Sequence, residues 1–303
     1  MFRLLEKGTG IFNLKIFKMK TIIYLLIAVF AFGLIVGGFP KQASAETRIL
    51  IQSIDSKVTP ATLSESAKII SARLKNFSSD PFELKVISEK HQIEVVFEDG
   101  WDLNAGKNLL TQKGSLSFYA TYKKEGFSEL LKDDKQLFSL LNANGPDRSM
   151  AVVGCATAAE AGKVNDYLKT LQLKQKCKFA WGQTSGDANV CLYALRLEGE
   201  KGALLTGSDV ESAKSDEDKA GVFELLIEFK KPAVQLWADA TQRNINNEIA
   251  IVLDDKVIFA PVLKSVIEGG KCSITGNFTK SEVQYLAALC NNGELPVSFK
   301  VVK

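Results

Sequence analysis

Apolar positions repeat along this chain with two periods, two and about three and a half, and their alternation predicts an α+β fold. Across residues 48–53, Ile49 and Ile51 alternate with polar neighbours, as in a half-buried strand. Leu63, Ala67, Ile70, Leu74 and Phe77 then step by fours and threes along one face of an amphipathic helix. Thr59-Pro60 marks its start, a capping hydroxyl followed by proline at the first helical position. Residues 82–88 and 92–98 read as strands joined by a turn at Glu89-Lys90-His91. Residues 102–112 form a second helix stopped by Gly114, and residues 115–122 alternate again as a strand. The order βαββαβ specifies a ferredoxin-like layout, with two helices on one face of an antiparallel sheet.

The middle, 123–200, is less regular. Helices are predicted over 127–141 and 157–171, with a turn at Gly145-Pro146 between them. Short strands at 177–181 and 189–196 flank a Gly/Ser/Asp loop, and the whole reads as an extension packed on the first unit. A second α+β unit occupies 201–303. Its strand over 223–229 leads into a helix opened by Pro232. Strands over 248–253 and 256–262 meet at Asp254-Asp255, whose short polar side chains suit the left-handed geometry of a tight turn. A strand at 272–275 precedes Thr279-Lys280-Ser281-Glu282, a capping box, and Asn291-Asn292-Gly293 ends the helix that follows.

Charge is unevenly placed. Residues 1–45 hold six Arg and Lys against Glu6 alone, which leaves 32 basic and 34 acidic residues in the body. A near-neutral body without a clustered basic stripe argues against a nucleic-acid partner. Lys18 and Lys20 precede an apolar run over 21–39, Pro40 breaks it, and Ala43-Ser44-Ala45 supplies small residues of the kind signal peptidase reads. The expectation is a signal peptide cleaved through Ala43 and Ala45, with an uncleaved anchor as the alternative and Met19 a more typical start than Met1. Membrane contact is then expected only through this segment, and the body lies outside the cytoplasm.

Candidate chemistry is sparse. Five cysteines in an exported body permit disulfides with one thiol left over. A helix packed over the sheet would bring Cys290 towards Cys272, so this pair is the expected disulfide. There is no C-x-x-C, no zinc spacing, and the single histidine, His91, falls in a predicted turn. Gly270-Lys271-Cys272-Ser273 lacks the upstream glycine of a phosphate loop. The acidic clusters at Asp133-Asp134 and Asp216-Glu217-Asp218 have no calcium-loop spacing. No catalytic constellation, metal or cofactor is expected. Trp101, at a strand–helix junction, stands out as a candidate contact residue.

Several stretches resemble one family. AIVLDDKVIFAPVL, residues 250–263, resembles the hairpin of the SecD head subdomain, carried by Asp254, Asp255, Ala260 and Pro261. ITGNFTKSEVQYLAALCNNGELP, residues 274–296, resembles the strand and capped helix that follow it, with Gly276, Asn277, Phe278 and Thr279 as the motif. Leu205-Thr206-Gly207-Ser208-Asp209 resembles the opening of the same subdomain, and Gly114-Ser115-Leu116-Ser117-Phe118 a strand of the base. GCATAAEAGKVNDYL and KFAWG are similar to the extended form found in SecDF fusions. The chain after Glu46 is thus identified as resembling the first large periplasmic domain of the SecD/SecDF translocase subunit. That implies a base over 46–122, an extension over 123–200 and a head over 201–303.

The resemblance implies a non-enzymatic accessory of protein translocation, on the outer side of the cytoplasmic membrane or in the periplasm. Its partners would be unfolded or translocating polypeptide and the Sec translocon. A full SecD continues into a membrane bundle whose charged pair couples to proton flow. No such bundle is expected here, so no proton-driven motor is expected either. Lys230-Lys231-Pro232 stands where relatives more often carry Asn/Ser-Glu-Gly. The alternative is a cell-envelope binding or structural module unconnected to Sec.

Overall fold

The computed structural model describes residues 46–131, 135–141, 150–173, 176–183, 189–198 and 202–302. The leader with Ala43 and Ala45, the turn at Gly145-Pro146 and Asp133-Asp134 lie outside them.

The first elements are β1 (Thr47–Ser53), α1 (Pro60–Phe77), β2 (Phe82–Ile87), β3 (Gln92–Phe97), α2 (Leu103–Thr111) and β4 (Leu116–Ala120), the expected βαββαβ order. Local chemistry explains each boundary. The Thr59 hydroxyl accepts from Thr62 N at 3.1 Å while Thr62 Oγ1 accepts from Thr59 N at 3.0 Å, closing the start of α1. Leu63, Ala67, Ile70, Leu74 and Phe77 are all buried. Asp102 caps α2 by accepting from Asn104 N and Ala105 N. His91 takes φ of 51° to turn β2 into β3, and its place in a turn is as read.

The next elements are α3 (Lys124–Leu130), α4 (Lys135–Leu140), β5 (Val152–Thr157), α5 (Ala161–Thr170), β6 (Cys177–Gln183) and β7 (Asn189–Arg196). Then come β8 (Leu205–Thr206), β9 (Val210–Glu217), β10 (Phe223–Phe229), α6 (Lys231–Arg243), β11 (Ile249–Leu253), β12 (Lys256–Phe259), β13 (Lys271–Thr275), α7 (Lys280–Asn292) and β14 (Phe299–Val301). The class is α+β, as the periodicities predict.

Sheet membership differs from chain order. The first sheet runs β14-β1-β3-β2, so β14 from the far end of the chain takes the place beside β1 that β4 was expected to fill. Instead β4 pairs with β11 and β8 inside a sheet ordered β5-β7-β6-β12-β11-β4-β8. Burial explains the exchange. Leu116, Phe118, Tyr119 and Ala120 of β4 are all buried, a strand covered on both faces, whereas Lys300 and Val301 of β14 are exposed and suit an edge. A third sheet, β13-β10-β9, packs against α7. The large sheet therefore joins strands from residues 116–120, 152–196 and 205–259.

One core links α1, α2, α6 and α7 to all three sheets. A smaller one lies under α3, α4 and α5, around Phe127, Leu137, Val153, Val164 and Leu192. The disulfide expectation is corrected. Cys155 and Cys191 are bonded, standing opposite each other in the β5–β7 pair, and Cys272, Cys290 and Cys177 are buried free thiols. Cys272 faces Trp237 and Ile251 around a cavity. Cys290 instead lies within electrostatic reach of Arg73, where α7 packs along α1. Trp101 is also corrected: it is buried among Phe77, Phe82 and Phe97, and its indole N–H donates to Pro81 O at 2.9 Å.

Candidate functional site

Asp254, Asp255, Gly276, Phe278 and Thr279 fall at two neighbouring places, a buried polar joint and an apolar cleft, with α7 running between them. The joint centres on Arg73, which sits on the apolar stripe of α1 between Ile70, Leu74 and Phe77 and is fully buried. Its Nη1 donates to Gln112 O at 2.6 Å, and its Nη2 to Lys113 O at 2.7 Å and Gly293 O at 2.6 Å. These carbonyls close the C-terminal ends of α2 and α7, where helices carry unpaired acceptors and partial negative charge. Burial pushes the guanidinium down to about 10, with Asp254 opposing the shift, so it remains charged at neutral pH. Gly114, at φ of 80°, leaves room for it, since a Cβ there would collide with the guanidinium.

Asp254 is the motif residue at this joint. With Asp255 it forms the β11–β12 turn, at φ of 49° and 63°. Two left-handed residues in succession match the right-handed twist of a hairpin. Asp254 Oδ1 accepts from Ser115 N at 2.7 Å, and Asp254 N donates to Ser115 O at 3.0 Å, so the turn grips the start of β4. Asp255 points outward and pairs with Lys178 at 2.6 Å.

The cleft, about 390 Å³, opens where β12 and β6 run parallel and α7 begins. Val257, Phe259, Phe278 and Leu286 give it an apolar lining, Trp181 stands on the β6 side, and Lys256 and Glu282 contribute charge. Phe259 and Phe278 pack with centroids 4.8 Å apart. Gly276 gives these rings room, because a Cβ would lie 3.0 Å from Phe259 and 3.2 Å from Phe278 and would force them to shift. Thr279 caps α7 through a reciprocal box with Glu282, whose carboxylate accepts from Thr279 N at 2.7 Å. Tyr285 bridges the two places. It lines the cleft, its buried hydroxyl has no hydrogen-bond partner, and burial holds its phenol well above the ordinary range.

The remaining motif residues lie elsewhere. Thr206 caps a short 3₁₀ turn with Asp209, and Gly207 passes close to Leu116, so this pair anchors β8 on β4. Pro261 lines a different cavity, Ala260 is half-buried, and Asn277 is exposed. Sequence reasoning missed Arg73 and Tyr285. The available signal for Arg73 was a charged residue on an otherwise apolar helix stripe. Among the described residues no cluster of three or more His, Cys, Asp or Glu is placed to hold a metal. Nor is any helix among them long and apolar enough to cross a membrane.

Residues 194–297 match the family model described as SecDF, P1 head subdomain. The protein translocase subunit SecD of Acidaminococcus fermentans is 38% identical over 104 residues, 34% of this chain and 25% of the relative. SecD of Dictyoglomus turgidum is 40% identical over 110 residues, 36% of this chain and 28% of the relative. The chain thus aligns with about a quarter of these relatives' length. The crystal structure of SecDF in its super-membrane-facing form shares the fold, with TM-score 0.53 and 18% identity, over 86% of this chain and 30% of that one. Residues 194–297 are thus similar to the SecDF P1 head subdomain, and the described residues share the fold of the matching part of SecDF.

Proposed function

We propose that this chain serves protein translocation on the outer side of the cytoplasmic membrane, holding an apolar stretch of translocating polypeptide in the cleft between β12 and α7. The observation that carries the reading is that Gly276, Phe278 and Thr279 of the head motif build this cleft, through a ring pair and a helix cap. An aromatic, mostly apolar lining suits side chains of varied shape, as a binder of unfolded chains requires. The role is binding rather than catalysis, and it needs no proton-driven step within the described fold. In this reading 46–122 is the base, 123–200 an extension that supplies Trp181 to the cleft wall, and 201–303 the head. Residues 1–45 deliver the body across the membrane, and the Sec translocon is the neighbour that presents the client.

The test places a photo-crosslinking amino acid at Lys256 or Glu282 of the full chain, in cells carrying a secretory client stalled in the translocon. Adducts with the stalled client at both positions are expected. Their absence, under conditions where SecDF itself is trapped, overturns the reading. Adducts only with envelope proteins outside the Sec system would make the chain an envelope module unconnected to Sec.

A further inference from the structure

The sheet β13-β10-β9 has two edges, and the structure treats them differently. At β9 the edge is covered at Ala213. Ala213 N donates to Asn291 Oδ1 at 2.6 Å, and Asn291 Nδ2 donates to Ala213 O at 2.6 Å, so one side-chain amide replaces a neighbouring strand. At β13 nothing comparable stands. Phe229 N donates to Gly270 O at 2.8 Å, and the antiparallel register pairs Ile227 with Cys272 and Leu225 with Ile274. Hydrogen-bonded pairs alternate in such a ladder, so Lys271, Ser273 and Thr275 turn their main-chain groups away from β10. Among the described residues those groups have no backbone partner. The Ser273 hydroxyl donates to the Glu224 carboxylate, which leaves the edge itself open.

A mostly apolar cavity of about 200 Å³ lies beside this edge, lined by Trp237, Ile249, Ile251 and Cys272, with Lys264, Ser265 and Ser273 contributing polar groups. It is separate from the cleft, although the chain from β12 onward passes from one to the other. Cys272 and Ile274 point inward, and Lys271, Ser273 and Thr275 are exposed. Side chains level with one another on adjacent strands share a face. A residue added level with Cys272 would therefore direct its side chain towards the cavity. Apolar cavities of roughly 150 Å³ already hold benzene, so the space fits a leucine or phenylalanine side chain.

We infer that β13 is a strand-addition site: an extended polypeptide segment pairs with Lys271, Ser273 and Thr275 and seats one leucine- or phenylalanine-sized side chain in the cavity beside Cys272. Open main-chain donors and acceptors specify an extended backbone as the occupant, and the cavity specifies its apolar residue. The inference rests on the proposed polypeptide-binding role and adds a second contact with its own selectivity.

The probe is a seven-residue peptide, acetyl-Thr-Thr-Thr-Leu-Thr-Thr-Thr-amide, titrated into the full chain and followed by amide NMR. Shifts are expected at residues 271–275 and in the loop at 261–267. Replacing leucine with glycine, or N-methylating the main-chain amides that face β13, should each weaken binding by about ten-fold or more, as loss of cavity filling or of one to two hydrogen bonds implies. Ser273→Pro removes an outward N–H, tolerated at a sheet edge, and should match that loss, whereas Ser273→Ala should stay within about two-fold. Unchanged binding after N-methylation, or shifts mapping elsewhere, overturns the inference. So does self-association abolished by Ser273→Pro, which would make a second copy the occupant. Crosslinking at Lys256 and Glu282 does not involve β13, so client adducts there with no probe binding at β13 would remove this inference and leave the cleft standing.

Discussion

The main core runs from Ile49 to Phe299 and has no disulfide, with Cys272 and Cys290 as free thiols. The β5–β7 pair beside the smaller core under α3, α4 and α5 instead carries the Cys155–Cys191 disulfide, although Cys177 of that core is a free thiol. Helix ends differ in the same direction. In the main body α1 and α7 are closed by reciprocal caps, with α6 an uncapped exception, while α3 and α5 have no side-chain bond from the N-cap residue. Helices of 7 and 10 residues without caps are marginal by themselves. The lesson is that the two regions are ordered by different terms. Packing and satisfied polar groups hold the first. In the second, restriction of the unfolded chain makes up for a small core.

The sharpest way to break the comparison is at Arg73. Arg73→Met keeps side-chain length and apolar contact but leaves the carbonyls of Gln112, Lys113 and Gly293 without their donor in a dry interior. The expected loss is about 3–5 kcal/mol, measured by denaturant unfolding. Because those carbonyls end α2 and α7, hydrogen exchange should quicken in both helices and leave α5 unaffected. A loss under about 1 kcal/mol would mean the joint is replaceable by water.

The converse experiment removes the disulfide. Its cysteines are 36 residues apart, for which the chain-entropy account gives about 3–4 kcal/mol. In the Cys155→Ala/Cys191→Ala variant, exchange protection should fall across α3, α5 and β5–β7 and persist in β1, β3 and α1. If protection falls evenly through both cores, the two regions form one cooperative unit and the contrast fails.

What was legible in the sequence was what neighbours decide. The α1 stripe, the Thr59-Pro60 start, the Asp254-Asp255 turn and the Thr279–Glu282 box each need only a few consecutive residues, and all are present in the structure. Illegible features depended on distant partners. VESAKSDE of β9 shows no apolar alternation and is a strand because β10 pairs with it and Asn291 covers its edge. The departure of β4 to another sheet depends on β14, which is more than 170 residues away in sequence. The disulfide could not be found without β5, whose short run VVGCAT escaped reading as a strand, because the register of β5 on β7 is what brings Cys155 and Cys191 together. The cleft between β6 and α7 was illegible for the same reason, because only the β6–β12 pairing brings those distant segments together.

The smallest effect concerns the free thiols and sharpens the claim that the main core is held by dry packing. Burial pushes the Cys272 thiol up to about 11 and the Cys290 thiol up to about 12. An unfolded cysteine loses its proton near about 8.5. Above that pH the unfolded chain binds fewer protons than the folded one, so stability falls as pH rises, until the folded thiols ionise as well. Each thiol should contribute about 1.4 kcal/mol per pH unit between roughly pH 9 and 11. Lysine and tyrosine titrate in the same window, so the informative quantity is the difference between wild type and Cys272→Ala/Cys290→Ala. Denaturant unfolding at pH 8, 9, 10 and 11 under oxygen-free conditions should show the variant losing stability more shallowly, by about 2–3 kcal/mol per pH unit for the two thiols together. Parallel curves would mean that water already reaches both sulfurs in the folded state, and the main core would then be wetter than its packing indicates.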